Sequence, residues 1–231
     1  MRFLFFFTCV LVGFTACFNK VEIGNAKDVD PQSIFYDYKV MAEEGDNDAT
    51  VKLQYRFGGP NGTTLVLDKP CNVTIDGVEL QTDSARLTGA FYELVKPVDS
   101  FKGKHTIVFT DRDKKEHKEE FDFEPFTLAK ELPEKIKRKP FNIALKGLPD
   151  STVYLRLVMT DTSFHSEGVN EMINVEKGKL KVNEVMLSKL KEGPINIEIY
   201  REEERPVRNG SREGGNISIT YGIKRQFELI K

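Results

Sequence analysis

The sequence predicts an all-β chain folded as two antiparallel β-sandwiches in tandem. Three observations carry that expectation. Apolar residues recur with a period of two: Ile34, Tyr36, Tyr38 and Val40 share one face, as do Val51, Leu53, Tyr55 and Phe57. The breaks between such runs hold turn chemistry, as in Gly58-Gly59-Pro60-Asn61-Gly62 and Asp76-Gly77, where glycine supplies positive φ at little cost. Finally, Leu132-Pro133-Glu134-Lys135-Ile136-Lys137-Arg138-Lys139-Pro140 interrupts the pattern as a basic, proline-bounded segment, which reads as a linker over 131–140.

The first sandwich is expected over 33–130. Its strands are read at 34–40, 49–57, 63–67, 71–75, 87–95, 105–110 and 119–126, and this number of short strands at this spacing is a sandwich signature. The second is expected over 141–231, with strands at 141–145, 152–159, 172–175, 179–182, 194–200 and 216–229. Asn183 is placed to cap a short helix, with Val185, Leu187 and Leu190 turned inward. The stretch from Arg201 to Gly215 is polar, holds Asn209-Gly210 and Gly214-Gly215, and reads as a long hairpin loop.

The chain opens with one positive charge, Arg2, before an apolar run of about fourteen residues, the length of a signal-peptide core and short of the roughly twenty needed to cross a bilayer. The run ends Phe14-Thr15-Ala16-Cys17, which resembles the lipobox of bacterial lipoproteins, with Phe14 where leucine is usual. That resemblance implies a cleaved signal peptide over 1–16, lipid on Cys17, and a tether over 17–32. Removing 16 of 231 residues leaves 215, with 33 basic against 36 acidic residues and a charge of −3. Phe18-Asn19 lacks the aspartate of an inner-membrane retention signal, and Lys20-Val21-Glu22 offers a single acid in place of a surface-export cluster. The expected location is the outer membrane, with the periplasmic face favoured over the cell surface.

The two blocks also resemble one another. Gly103 enters the alternating strand His105–Phe109 before a hairpin to Glu120–Phe123, and Gly193 enters Ile195–Ile199 before a hairpin to Gln226–Leu229. Both are similar to the last two strands of immunoglobulin-like domains, and Val73 to Leu80 resembles a mid-domain hairpin of bacterial Ig-like modules. The chain is thus identified as similar to uncharacterised bacterial lipoproteins with tandem Ig-like folds. The disulfide and buried tryptophan of antibody domains are missing: there is no tryptophan, Cys9 leaves with the signal, Cys17 takes lipid, and Cys71 stands alone. The resemblance transfers no functional residue.

Composition and motifs narrow the function. The balance of 34 basic and 36 acidic residues lacks the basic excess of a nucleic-acid binder, so no nucleic-acid partner is expected. His105, His117 and His165 have no metal-ligand spacing, Glu43-Glu44-Gly45-Asp46-Asn47-Asp48 lacks the order of a calcium loop, and neither a metal nor a cofactor is expected. No Gly-x-Ser-x-Gly or Ser-x-x-Lys occurs, and Cys71 reads as a structural thiol, so no catalytic residue is assigned. The expectation is a membrane-anchored, non-enzymatic binding or structural module of the cell envelope, with an envelope protein or a glycan as partner. Contact residues are expected in two polar loops, at Ser163, Phe164 and His165 and at Arg205, Arg208 and Arg212. Two alternatives stand beside it: a glycan-binding surface lipoprotein, which would present Tyr36, Tyr38, Tyr55 and Phe57 as a stacking platform, and a hydrolase on a β scaffold.

Overall fold

The computed structural model describes residues 23–85, 88–162 and 166–231. The N-terminal half carries β1 (Ile23–Asn25), β2 (Ile34–Glu43), β3 (Asp48–Phe57), β4 (Thr63–Val66), β5 (Asn72–Ile75), β6 (Val78–Glu79), β7 (Thr82–Ala85), β8 (Gly89–Pro97), β9 (Gly103–Thr110) and β10 (Glu116–Phe123). Hydrogen-bonded neighbours run β2–β3–β8–β7 in one sheet and β6–β5–β9–β10 in the other. Lettered in chain order, this is A–B–E–D over C′–C–F–G, the two sheets of an immunoglobulin-like sandwich. Its core is aromatic. Tyr36 and Tyr55 from one sheet meet Phe109 from the other at ring-centroid distances of 5.4 and 4.5 Å.

The C-terminal half carries β11 (Thr127–Leu128), β12 (Lys135–Lys137), β13 (Phe141–Lys146), β14 (Val153–Asp161), β15 (Val169–Val175), β16 (Lys179–Val182), α1 (Glu184–Ser188), β17 (Gly193–Ser211) and β18 (Gly214–Ile230). Here β15–β14–β17–β18 form C′–C–F–G, β12 lies parallel to β18 as A′, and β11–β13–β16 form A–B–E. Alternation explains the burial. Leu155, Leu157 and Met159 of β14 and Ile195, Ile197 and Ile199 of β17 point inward, as do Ile143, Leu180 and Val182 of the other sheet. The all-β expectation and the tandem Ig-like organisation therefore hold.

Several local expectations do not. The linker expected over 131–140 holds strand β12, because the second sandwich draws its A′ strand from this stretch; Ile136 is buried between two exposed lysines. Arg138 of the same segment donates to the carbonyls of Leu187 and Leu190 and so satisfies the C-terminal end of α1. The tether expected to Gln32 is already structured at Ile23, where β1 pairs with β4 and Ala26 is fully buried. Asn183 does cap α1, its Oδ1 accepting from the Met186 N–H at 2.9 Å. In α1, however, Met186 and Leu187 turn inward, and Val185 is 65% exposed.

The largest departure is Arg201–Gly215. It is not a loop but the outer half of a two-stranded ribbon, in which β17 and β18 pair as far as Pro206 opposite Asn216 and, past a bulge over 207–210, again at Ser211 opposite Gly214 before a turn at Arg212-Glu213. The base of the ribbon belongs to the second sandwich, with β17 bonded to β14 as far as Tyr200. Beyond that point it runs along the first sandwich. There β18 pairs in parallel with β2, from Gly215 opposite Tyr36 to Gly222 opposite Glu43. The two sandwiches therefore share one sheet of eleven strands. The ribbon also buries Val207, Ile217, Ile219 and Tyr221, and Tyr221 meets Phe123 and Phe126 edge-on at 6.0 and 5.5 Å.

Candidate functional site

The ribbon is seated by polar chemistry around one buried carboxylate. Glu119 of β10 is only 2% exposed. Its Oε1 accepts from Arg205 Nη1 at 2.6 Å, and its Oε2 accepts from the Arg208 backbone N–H at 2.6 Å. Arg205 Nη2 also donates to the Glu120 carbonyl, Asn209 Nδ2 donates to the Lys118 carbonyl, and Arg201 Nη1 donates to the Glu124 carbonyl. These bonds occupy carbonyls along the outer edge of β10, which would otherwise be an open sheet edge. At the tip, Ser211 Oγ donates to the Ile34 carbonyl at 2.6 Å, and the N–H groups of Arg212 and Glu213 bond Gln32. At the base, Lys224 pairs with Glu43 at 2.8 Å, while Arg225 bridges Glu44 and Glu131, each at 2.7 Å.

This places the sequence-derived contact residues. Arg205 is spent inside the chain on Glu119, and Arg208 and Arg212 use their backbone N–H groups on the first sandwich. Ser163, Phe164 and His165 lie outside the described residues, as do residues 1–22 with Cys17. The tyrosine platform is not available: Tyr36, Tyr38 and Tyr55 are buried, because their alternating face is the sandwich core, and only Phe57 of that set is exposed. Burial pushes the phenol pKa of all three tyrosines upward.

Two histidines meet carboxylates, which no spacing in the sequence revealed. His117 Nε2 lies 2.8 Å from Asp111 Oδ2, and His105 Nδ1 lies 2.7 Å from Asp76 Oδ2. The other ring nitrogen of His105 is 2.7 Å from the Phe101 carbonyl. Burial works against the Asp111 carboxylate, yet the hydrogen bonds it accepts from His117 and from the Lys115 and Asp113 N–H groups hold its pKa below the usual value. Each histidine is packed against core aromatics, His105 on Phe101 at 3.9 Å and His117 on Phe109 at 5.7 Å between centroids. Cys71 is buried too, and burial raises its thiol pKa, which keeps it protonated and weakly nucleophilic. These groups brace the core of the first sandwich. Among the described residues, no cluster of three or more His, Cys, Asp or Glu side chains could hold a metal.

An open surface lies on the outer face of the shared sheet. A recess of about 540 Å3 is lined by Asp37, Lys39, Lys52, Gln54 and Arg56, with Pro60, Asn61 and Gly62 as one wall. A second recess, of about 190 Å3, shares Asp37, Lys39 and Pro60 and adds Glu204, Asn216 and Ser218 from the ribbon. Together they form a saddle across β3, β2, β18 and β17, to which both halves of the chain contribute. Strand pairing explains its rows: Ser218, Lys39 and Lys52 lie opposite one another, as do Asn216, Asp37 and Gln54. Lys52 Nζ sits 3.8 Å above the Phe91 ring. Gln54 Nε2 donates to the Thr88 and Ala90 carbonyls, and Arg56 Nη1 to the Gly62 carbonyl, so the floor is held rigid. The floor carries mixed charge, with Asp37 between Lys39 at 3.6 Å and Arg56 at 3.8 Å.

No family model matches the chain, and no curated protein does. Among solved structures, it is similar to a tetra-tandem repeat in the extending region of a large adhesion protein, with 14% identity and a TM-score of 0.25 over 84% of this chain and 49% of that one. It thus spans about half the length of that structure. It is also similar to murine CEACAM1b (10% identity, TM-score 0.24, 85% of this chain and 100% of the other). A third is the adhesin InvE of Yersinia pseudotuberculosis (10% identity, TM-score 0.22, 83% and 59%). The fold assignment itself rests on the strand order given above.

Proposed function

We propose that this chain is a lipid-anchored, non-enzymatic lipoprotein of the bacterial cell envelope, acting as a rigid binding or structural module. One observation supports the rigid-module reading above the others: the ribbon from the second sandwich completes a sheet in the first, which removes the hinge that tandem domains ordinarily keep. The anchor rests on the apolar run ending Thr15-Ala16-Cys17, and the outer membrane, periplasmic face, on the residues that follow it. With Cys17 lipidated, only 18–22 separate the acyl chains from β1, so the first sandwich is held close to the membrane. The saddle is the contact surface of this reading, and a protein of the envelope is its partner.

The test combines labelling and capture in cells. Radiolabelled palmitate is expected to enter the full chain and to be lost in Cys17→Ala. Crosslinking with a photoreactive residue at Lys39 or Ser218 is expected to yield one stoichiometric envelope protein. Label that persists without Cys17 would remove the anchor. Recovery of soluble glycan alone would replace the protein partner with a saccharide.

A further inference from the structure

The eleven-stranded sheet ends at β15. Proteins blunt such ends with lysines, prolines, bulges, short strands or a covering element, because an open edge pairs with whatever strand it meets. The other edges of this chain show those devices. β12 and β16 carry exposed lysines at Lys135, Lys137, Lys179 and Lys181; β1, β6 and β11 have two or three residues; β7 is four residues, all exposed; and β10 is covered by side chains of the ribbon. β15 itself carries none of them, and the segment that reaches it is Lys189, whose carbonyl accepts from the Gly168 N–H just before the strand. It has seven residues, Val169-Asn170-Glu171-Met172-Ile173-Asn174-Val175, without lysine, proline or glycine. Its only charge, Glu171, is neutralised by Lys189 at 2.8 Å. Asn170, Met172 and Asn174 point outward and are exposed, Met172 to 48%, beside the exposed ring of Tyr154.

The order of residues identifies the partner. Read from either end, β15 runs Val, Asn, x, Met, x, Asn, Val. An antiparallel copy centred on Met172 would set Val169 opposite Val175, each Asn170 opposite an Asn174, and Met172 opposite itself. Amide meets amide, valine meets valine, and no like charges face each other, the conditions under which cross-strand pairs stabilise. A two-fold interface needs this self-complementarity. We propose that two copies of the chain pair antiparallel along β15 about a two-fold axis through Met172, joining their eleven-stranded sheets into one.

The experiment uses the full chain purified in detergent. Sedimentation equilibrium is expected to give twice the chain mass at micromolar concentration, and a photoreactive residue at position 172 is expected to crosslink chain to chain. The same probe at exposed Val78, on the short β6, serves as the control. Met172→Lys sets two lysines opposite each other at the axis, with Cβ atoms about 5 Å apart, and is expected to weaken self-association at least tenfold while leaving the thermal transition of the monomer unchanged. A single-chain mass at all concentrations overturns the proposal, and so does equal crosslinking from positions 172 and 78, or capture at position 172 of a different protein. None of these outcomes bears on the lipid label at Cys17.

Discussion

At the scale of single residues, the first sandwich is decided by a few buried polar groups whose partners differ. The Tyr36 hydroxyl is buried with no hydrogen-bond partner among the described residues, whereas the Tyr38 and Tyr55 hydroxyls face each other at 3.3 Å. Removing an unpartnered hydroxyl removes a desolvation cost, so Tyr36→Phe is expected to leave stability unchanged or raise it by up to about 1 kcal/mol in chemical denaturation. Asp111 is the opposite case, a buried carboxylate with three donors. Its native pKa lies below its unfolded value, so its contribution is complete above about pH 4 and is lost as pH falls through the lower native value. The slope of unfolding free energy against pH below 4 should therefore be shallower in Asp111→Asn than in the parent chain. A slope equal to the parent's would show that Asp111 has the same pKa folded and unfolded. These two residues also mark what the sequence could tell. Alternation revealed that Tyr36 faces the core, but nothing local told that Asp111 and His117, six positions apart, would meet across the β9–β10 turn.

At the scale of the element, the ribbon shows why a strand was read as a loop. From Arg201 to Gly215 only Val207 is apolar and buried, because the outer half of β17 lies against a sheet edge and works through Arg205, Arg208 and Asn209. The signal that could have exposed it was on the partner strand. Alternation in β18 runs through Ile217, Ile219, Tyr221 and Ile223 and returns at Phe227 and Leu229, in a strand of 17 residues, more than twice the usual length of about six, and so long a strand needs a partner along its whole length. Arg205 is the residue on which the seat depends. Arg205→Ala would leave Glu119 buried without its cation and is expected to cost about 3 kcal/mol. The double variant Arg205→Met, Glu119→Leu should recover part of that, since an apolar pair of similar volume avoids burying charge and leaves only the Arg208 N–H without its acceptor. If the single variant loses less than about 1 kcal/mol, the pair is not what holds the ribbon. Gly215 sets the register of the same element: a Cβ there would lie 2.6 Å from the Tyr36 carbonyl oxygen, closer than atoms pack.

At the scale of the whole molecule, two Ig-like units joined by a shared sheet should melt together. Calorimetry is expected to show one cooperative transition for the full chain, and Gly215→Val, which forces the ribbon off β2, should resolve it into two. Two transitions in the parent chain would mean that the ribbon contributes little. The tandem plan itself was legible, because turns and alternation are local; the joining of the units was not, because it links Ile34 to Ser211, 177 positions apart. That separation also sets an order of assembly. A chain made from its N-terminus folds its first sandwich while β2 still has an open side, and the strand that closes it, β18, follows all the other described strands. Until then the earliest-formed half presents an unpaired edge to its surroundings, and losing β18 would leave that edge permanently bare.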